Sequence, residues 1–295
     1  MNVTIKNAIR YGLFPTVFTA AIAGAIFAMK AGIDPGYITA TVAILTVLIV
    51  YIFERILPMH DNWLKSHNDV KTDLLHGTFS MILIPQLLEA LLLTVLLGVA
   101  VKIASMVGFS IWPTHWPIVF QLILAMIVSQ FGEYWWHRLS HEVPLFWRFH
   151  SIHHSPKRLY WLNAARFHPV DIAVSYSLAV STLILLGATT EILTLLTVWI
   201  IVHGLFQHCN IDIRLGFLNY IFSMAELHRW HHSLVLEEAN ANYGNNILFW
   251  DIIFGTVYYP KDKIASEHIG LHDFKAFPEN YVDQIRAPFQ WTQLK

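Results

Sequence analysis

Charge is scarce in this 295-residue chain: Asp, Glu, Lys and Arg make up 13% of it, where an ordinary soluble domain carries about a quarter. That deficit points to a bilayer before any segment is read. Net charge is −1 with histidine neutral, so nothing indicates nucleic acid or an acidic partner. Cysteine is all but missing, and the single Cys209 excludes an internal disulfide and a cysteine-rich zinc or iron–sulfur site. Haem, flavin-binding and Gly-rich nucleotide motifs are also lacking. The chain is instead rich in apolar residues, at 55%, and in histidine, with 17 against 19 Lys plus Arg.

A transmembrane helix needs about 20 mostly apolar residues. Six stretches qualify, at roughly 11–30, 38–57, 74–101, 117–137, 170–187 and 189–209. The first follows Lys6 and Arg10, but its apolar run from Tyr11 to Met29 exceeds the roughly 7–15 residues of a signal h-region. It reads as a retained membrane helix. Pro85 marks the third stretch as tilted, kinked or partly re-entrant, and the break Gly187–Thr190 makes a tight hairpin of the last two.

Two polar blocks, 138–169 and 210–295, interrupt and follow the spans. With six crossings they share one side with both termini and 58–73. That side holds every Lys and Arg except Lys30 and Lys102, which by the positive-inside rule makes it cytoplasmic. The expected fold is all-α: about six spans with a cytoplasmic helical cap carrying a histidine-rich dimetal site. Residues 1–70 form N-terminal membrane helices, 71–260 the histidine-bearing membrane domain and 261–295 a cytoplasmic tail. In a bacterium the location would be the inner membrane. The aromatic segment 247–258 is too short to span and reads either as interfacial or as a buried element of the cap.

The histidines fall into boxes. His137 and His141 sit at the cytoplasmic end of the fourth span, at an i, i+4 spacing that puts both rings on one helix face. His150, His153 and His154 form a His-x-x-His-His box, and His228, His231 and His232 form another. One pair would be weak evidence; three boxes on one side of the membrane indicate a metal centre. Neutral imidazole binds Zn, Cu, Fe and Ni. A catalytic zinc site uses about three protein ligands, so eight histidines suit two ions. The arrangement differs from soluble di-iron bundles, whose ligands are mainly Glu.

These boxes, with the flanking runs Trp136–His141, Trp147–His150, Ala165–Pro169, Asn242–Gly244 and Trp250–Asp251, resemble the fatty acid hydroxylase and sterol desaturase superfamily, and most of all its bacterial branch similar to alkylglycerol monooxygenase. The resemblance covers roughly 70–260. It implies an iron-dependent monooxygenase or desaturase acting on a lipid, with the eight box histidines as ligands and zinc able to replace iron in purified samples. It also implies electrons from a separate donor or from a reduced pterin.

Further residues are candidates beside the boxes. His208 and His168 are tentative ligands, and His203 is a weaker one, since its five-residue offset from His208 is poor helical geometry for one site. His76 is read as a partner of ligands or as lining a substrate channel. His60, His67, His115, His268 and His272 are read as ordinary surface residues. Ligating imidazoles usually donate their second N–H to an oxygen. Glu133, an intramembrane acid four residues before His137, is the tentative acceptor; the rival is a snorkelling charge paired with Arg138. Asp73, Asp171 and Glu226 are alternative acceptors, and Asn242 and Tyr243 are expected to orient the third box. Glu54 reads as interfacial, and Glu89 as lining the cavity or aiding helix packing.

The expected function is a membrane-bound di-iron oxygenase that uses dioxygen and two electrons to hydroxylate a lipid C–H bond. A lipid desaturase with the same centre is the nearest alternative. A metal transporter or sensor is the remote one, because transporter sites lie near the bilayer midplane on broken helices, whereas these boxes lie at or beyond the helix ends.

Overall fold

The computed structural model describes residues 1–108, 111–271, 274 and 276–294; His272 lies outside them. Among the described residues the chain is helical, with isolated bridges but no strand. Six helices are long and apolar enough to cross a membrane: α1 Val3–Lys30, α2 Pro35–Ile56, α3 Val70–Val107, α4 Ile118–Glu142, α6 Pro169–Leu186 and α7 Thr190–Gln207. They coincide with the six expected stretches. Between α4 and α6 lies the short α5, Pro144–His154. After α7 come α8, Ala225–His231, and α9, Phe249–Phe254.

Local signals set the ends. Asp34 caps α2 and accepts the Gly36 N–H, with Pro35 at its first position. Gly187 stops α6 in the left-handed conformation that costs glycine least, at φ +83°. Helix α3 does not break at Pro85. It is wound as π-helix over His76–Leu83 and returns to α-helix from Ile84. Pro85 has no N–H to give the preceding turn, and the wider π-helical winding lies directly before it.

Helix α7 is the hub, packing against α1, α2 and α4, while α6 lies between α3 and α4. One apolar cluster joins Leu122, Ala125 and Met126 of α4 to Leu195, Val198 and Trp199 of α7. A second joins Phe14 of α1, Val50 of α2 and Val202 and Phe206 of α7 to Ile211, Ile213 and Met224 beyond the membrane helices. Helix α3, by contrast, turns an almost wholly exposed row outward, including Leu87, Leu91, Val95 and Val99, as a lipid-facing helix should.

Buried polar contacts fasten the non-membrane blocks to these helices. Glu54 corrects its reading as an interfacial charge: it is 2% exposed, and its Oε1 accepts the backbone N–H groups of Trp161 at 2.8 Å and Asn210 at 3.0 Å. Arg10 of α1 pairs with Asp212. The guanidinium of Arg158 donates to both Asp69 oxygens at 2.7 Å and to the Trp63 carbonyl at 3.0 Å. Asp73 receives Arg166 and, at 2.7 Å, the Tyr160 hydroxyl. Helix α9 combines both readings of its segment. Trp250 donates to the Ile127 carbonyl of α4 and Asp251 is buried, while Ile252 and Ile253 are exposed.

Asp69→Ala would leave the Arg158 charge buried without its partner, which typically costs about 3–5 kcal/mol. A marked drop in the unfolding temperature of the detergent-purified protein is expected.

Candidate metal centre

Every box histidine lies where two polar blocks meet the ends of α4 and α7. His137 and His141 project from the last turns of α4, His150, His153 and His154 from the end of α5, and His228, His231 and His232 from α8 and its cap. His208 caps α7. Their ring nitrogens form two groups, each with ligand atoms within 4.8 Å of one another: His137, His141, His150, His154 and His231; and His153, His208, His228 and His232.

The grouping cuts across the boxes. Within each His-x-x-His-His box the i and i+4 rings serve one group and the i+3 ring the other. In α5, His150 and His154 join the first group and His153 the second. In α8 the assignment is reversed, with His228 and His232 in the second and His231 in the first. The expectation that all three rings of a box share one face thus holds only coarsely. Small angular offsets between i, i+3 and i+4 aim them at two neighbouring centres.

The unpaired atoms test whether these residues suit a metal. In the first group the Nε2 atoms of all five rings are buried without a hydrogen-bond partner. Four of these rings use Nδ1 elsewhere: His137 toward the Tyr243 carbonyl at 2.6 Å, His141 toward Asn240 Oδ1 at 3.2 Å, His150 toward Asp171 Oδ2 at 2.9 Å and His231 toward the Ala241 carbonyl at 2.8 Å. An N–H given to an oxygen on one side and a bare lone pair on the other is the tautomer a metal ligand requires. In the second group, Nε2 of His228 lies 2.8 Å from that of His208 and 3.0 Å from that of His232. His153 and His208 engage the Arg166 carbonyl and Asn163 Oδ1 through Nδ1.

Burial favours the neutral form of six of these rings. It pushes the pKa values of His208 and His231 down to about 3 and those of His153, His154, His228 and His232 well below the usual histidine range. Neutral imidazoles have the lone pairs that metals bind.

Other candidates fall elsewhere. His168 stands outside both groups, with both ring nitrogens engaged: Nδ1 accepts the Val170 N–H at 3.0 Å and Nε2 faces the Ile285 carbonyl at 3.2 Å. It caps α6. His203 packs against Phe14 and Phe222, belongs to neither group, and neither of its nitrogens has a partner. His76 sits between the Phe167 carbonyl and Gln284, pinning α3 to the C-terminal segment. Glu226 serves the 214–219 segment through the Leu215 N–H and Asn219.

Glu133 accepts from no imidazole. Its partners are Gln130 and, at 3.5 Å, Ser175. Arg138 is not its partner either, since it pairs with Glu142 at 2.9 Å. The acceptor duty falls to Asp171, to the side-chain oxygens of Asn240 and Asn163 and to backbone carbonyls. The Asp171 carboxylate also takes the Trp136 indole N–H at 2.6 Å. The Tyr243 carbonyl is held because Asp251 grips the Tyr243 and Gly244 N–H groups at 2.7 and 2.8 Å. A Cβ on Gly244 would collide with the Ile247 carbonyl. Asn242, at φ +53°, closes this loop through the Leu227 and Tyr258 carbonyls. Backbone carbonyls carry no sequence signature; the run Asn242-Tyr243-Gly244 was their only visible trace.

Beside the groups lies a chamber of about 110 Å³, lined by His137, His150, His153, His208 and His228, by Met81, Ile172 and Ile200, and by Glu133, Ser175, Gln207, Asn245 and Asn246. Its walls include rings of both groups.

Comparison with known proteins agrees with this site. The fatty acid hydroxylase family model matches residues 122–256, the stretch that carries all three boxes. Ornithine lipid hydroxylase of Rhizobium tropici is 35% identical over 94% of this chain and 83% of its own length. The chain belongs to the fatty acid hydroxylase family. Alkylglycerol monooxygenase of Homo sapiens is 27% identical over 57% of this chain and 37% of its own length. Methylsterol monooxygenase 2-2 of Arabidopsis thaliana is 28% identical over 44% and 49%. The similarity thus spans less than half the length of these two relatives. No solved structure matches. The named relatives are oxygenases and hydroxylases of lipids, so this family member is an oxidoreductase, and its six apolar helices make it an integral membrane protein.

Asp171→Asn keeps the shape of the side chain but weakens the acceptor for His150. A loss of about 10–100-fold in metal affinity or activity is expected, read as faster metal loss to a chelator.

Proposed function

We propose that the two histidine groups each hold one iron ion and that the protein hydroxylates an amine-bearing lipid, in keeping with the name of its Rhizobium relative, an ornithine lipid hydroxylase. The observation that carries this reading is a group of five unpartnered, buried Nε2 atoms whose ligand atoms lie within 4.8 Å of one another. His137, His141, His150, His154 and His231 form one ligand set and His153, His208, His228 and His232 the other; His168 and His203 belong to neither. When bound, the iron pair supplies the activation of dioxygen that oxidation of a C–H bond requires.

The chain's own residues do the rest. Asp171 and the Tyr243, Ala241 and Arg166 carbonyls fix ring tautomer and orientation, so that little rearrangement is needed when the metal binds. The chamber admits one end of a lipid and leaves little room for bulk water, while its walls set which carbon faces the groups. Both polar blocks are assigned to the cytoplasmic side, where a separate electron donor or a reduced pterin would reach them. Residues 71–260 form the catalytic unit, with 1–70 and 261–295 as its supports.

Gently purified protein is expected to hold about two metal ions per chain, because a catalytic site uses about three protein ligands. His153→Ala or His231→Ala should abolish turnover while leaving membrane insertion intact. Mass spectrometry of membrane lipids with and without the enzyme should show the gain of one oxygen atom. Loss of two hydrogens would mark a desaturase, and metal-free protein with its boxes folded would refute the centre.

A further inference from the structure

The chamber beside the histidine groups carries acceptors that serve no imidazole. Glu133 Oε2 receives the Gln130 amide, but Oε1 has only the Ser175 hydroxyl at 3.5 Å, the outer limit of a hydrogen bond. Asn246 is 4% exposed, and its Oδ1 has no partner. Gln130 ties the two together, because its carbonyl oxygen accepts the Asn246 backbone N–H at 3.0 Å while its amide donates to Glu133. Both residues line the chamber. A hydrocarbon tail or sterol ring pressed against them would strip these oxygens of water and return nothing.

We propose that Glu133 and Asn246 bind the ammonium group of the substrate's headgroup and thereby determine which lipids are oxidised. The assignment rests on reading the protein as a lipid hydroxylase whose substrate enters this chamber. An ammonium has three donors and no acceptor, and a carboxylate with a free lone pair beside an unpaired amide oxygen is its complement. Charge-assisted hydrogen bonds of this kind are roughly twice as strong as neutral ones and gain further in a site shut off from water. A volume of about 110 Å³ takes the end of a headgroup and not a whole lipid. The carboxylate also offsets the repulsion between that cation and metal ions that the neighbouring rings would hold. A neutral lipid would leave Glu133 and Asn246 unsatisfied, and this is how a polar site rejects an analogue that lacks the matching donor.

The test compares turnover of an ornithine lipid with that of the same lipid acetylated on its side-chain amine, using iron-loaded full-length protein in lipid nanodiscs. The wild type should favour the free amine by about tenfold or more in kcat/KM, the span of a hydrogen bond to a charged group. Glu133→Gln should raise KM for the free amine and bring the ratio of the two lipids close to one, with iron content unchanged. Equal use of both lipids by the wild type overturns the assignment without needing any variant to fold. So does a Glu133→Gln enzyme that keeps the wild-type ratio, or one that loses iron and slows equally on both lipids, which would make Glu133 a structural support of the centre. Iron-loaded wild type that oxidises neither lipid, nor any other lipid of the host membrane, refutes the proposed function itself.

Discussion

Everything near the membrane surface of this protein is arranged around lone pairs that face one another. Five imidazole nitrogens in one group are buried without a hydrogen-bond partner, and in the other His228 Nε2 lies 2.8 Å from that of His208 and 3.0 Å from that of His232. An unsatisfied buried polar atom costs about 1–3 kcal/mol, and several gathered at one point would be a heavy liability in an ordinary core. A bound cation turns the same atoms into the strongest contacts in the molecule. Folding and metal binding are therefore linked, since the unfolded chain has no such convergence to offer. The surrounding structure pins the backs of the rings while leaving their fronts bare.

The pinning comes from elements far apart in the chain. Asp171 from α6, the Tyr243 and Ala241 carbonyls from the loop after α8, and Asn163 from the block after α5 each hold one ring. Those elements are in turn fastened to membrane helices: Glu54 of α2 grips the Trp161 and Asn210 backbone, and Asp73 of α3 takes Arg166 and Tyr160. The carboxylates inside the membrane helices act less on the imidazoles directly than on the loops that present them.

This division explains what could be read from the sequence. Six apolar runs announced six helices, because length and hydropathy suffice where every backbone group must be satisfied within its own helix. The boxes announced the centre, because histidine at i, i+3 and i+4 has few other uses in such number. His208 could be only a tentative member, because its place depends on how α7 meets α8. Glu133 and Glu54 were misjudged for a related reason. The sequence shows that an acid is near a histidine or an arginine, but not which donor reaches it first, and for these two the donors come from Gln130 and from backbone more than a hundred residues away. Carbonyl acceptors were invisible, since any residue type supplies one.

The crossed assignment of the boxes has a consequence for assembly. Helices α5 and α8 each lend two rings to one group and one to the other, so neither helix can be in place for one centre and absent for the other. Whatever draws the first group together also positions His153, and whatever draws the second together also positions His231. An ion drawn to one group would therefore fix rings of the other. Filling one group would preorganise the other, because the same two short helices carry rings of both.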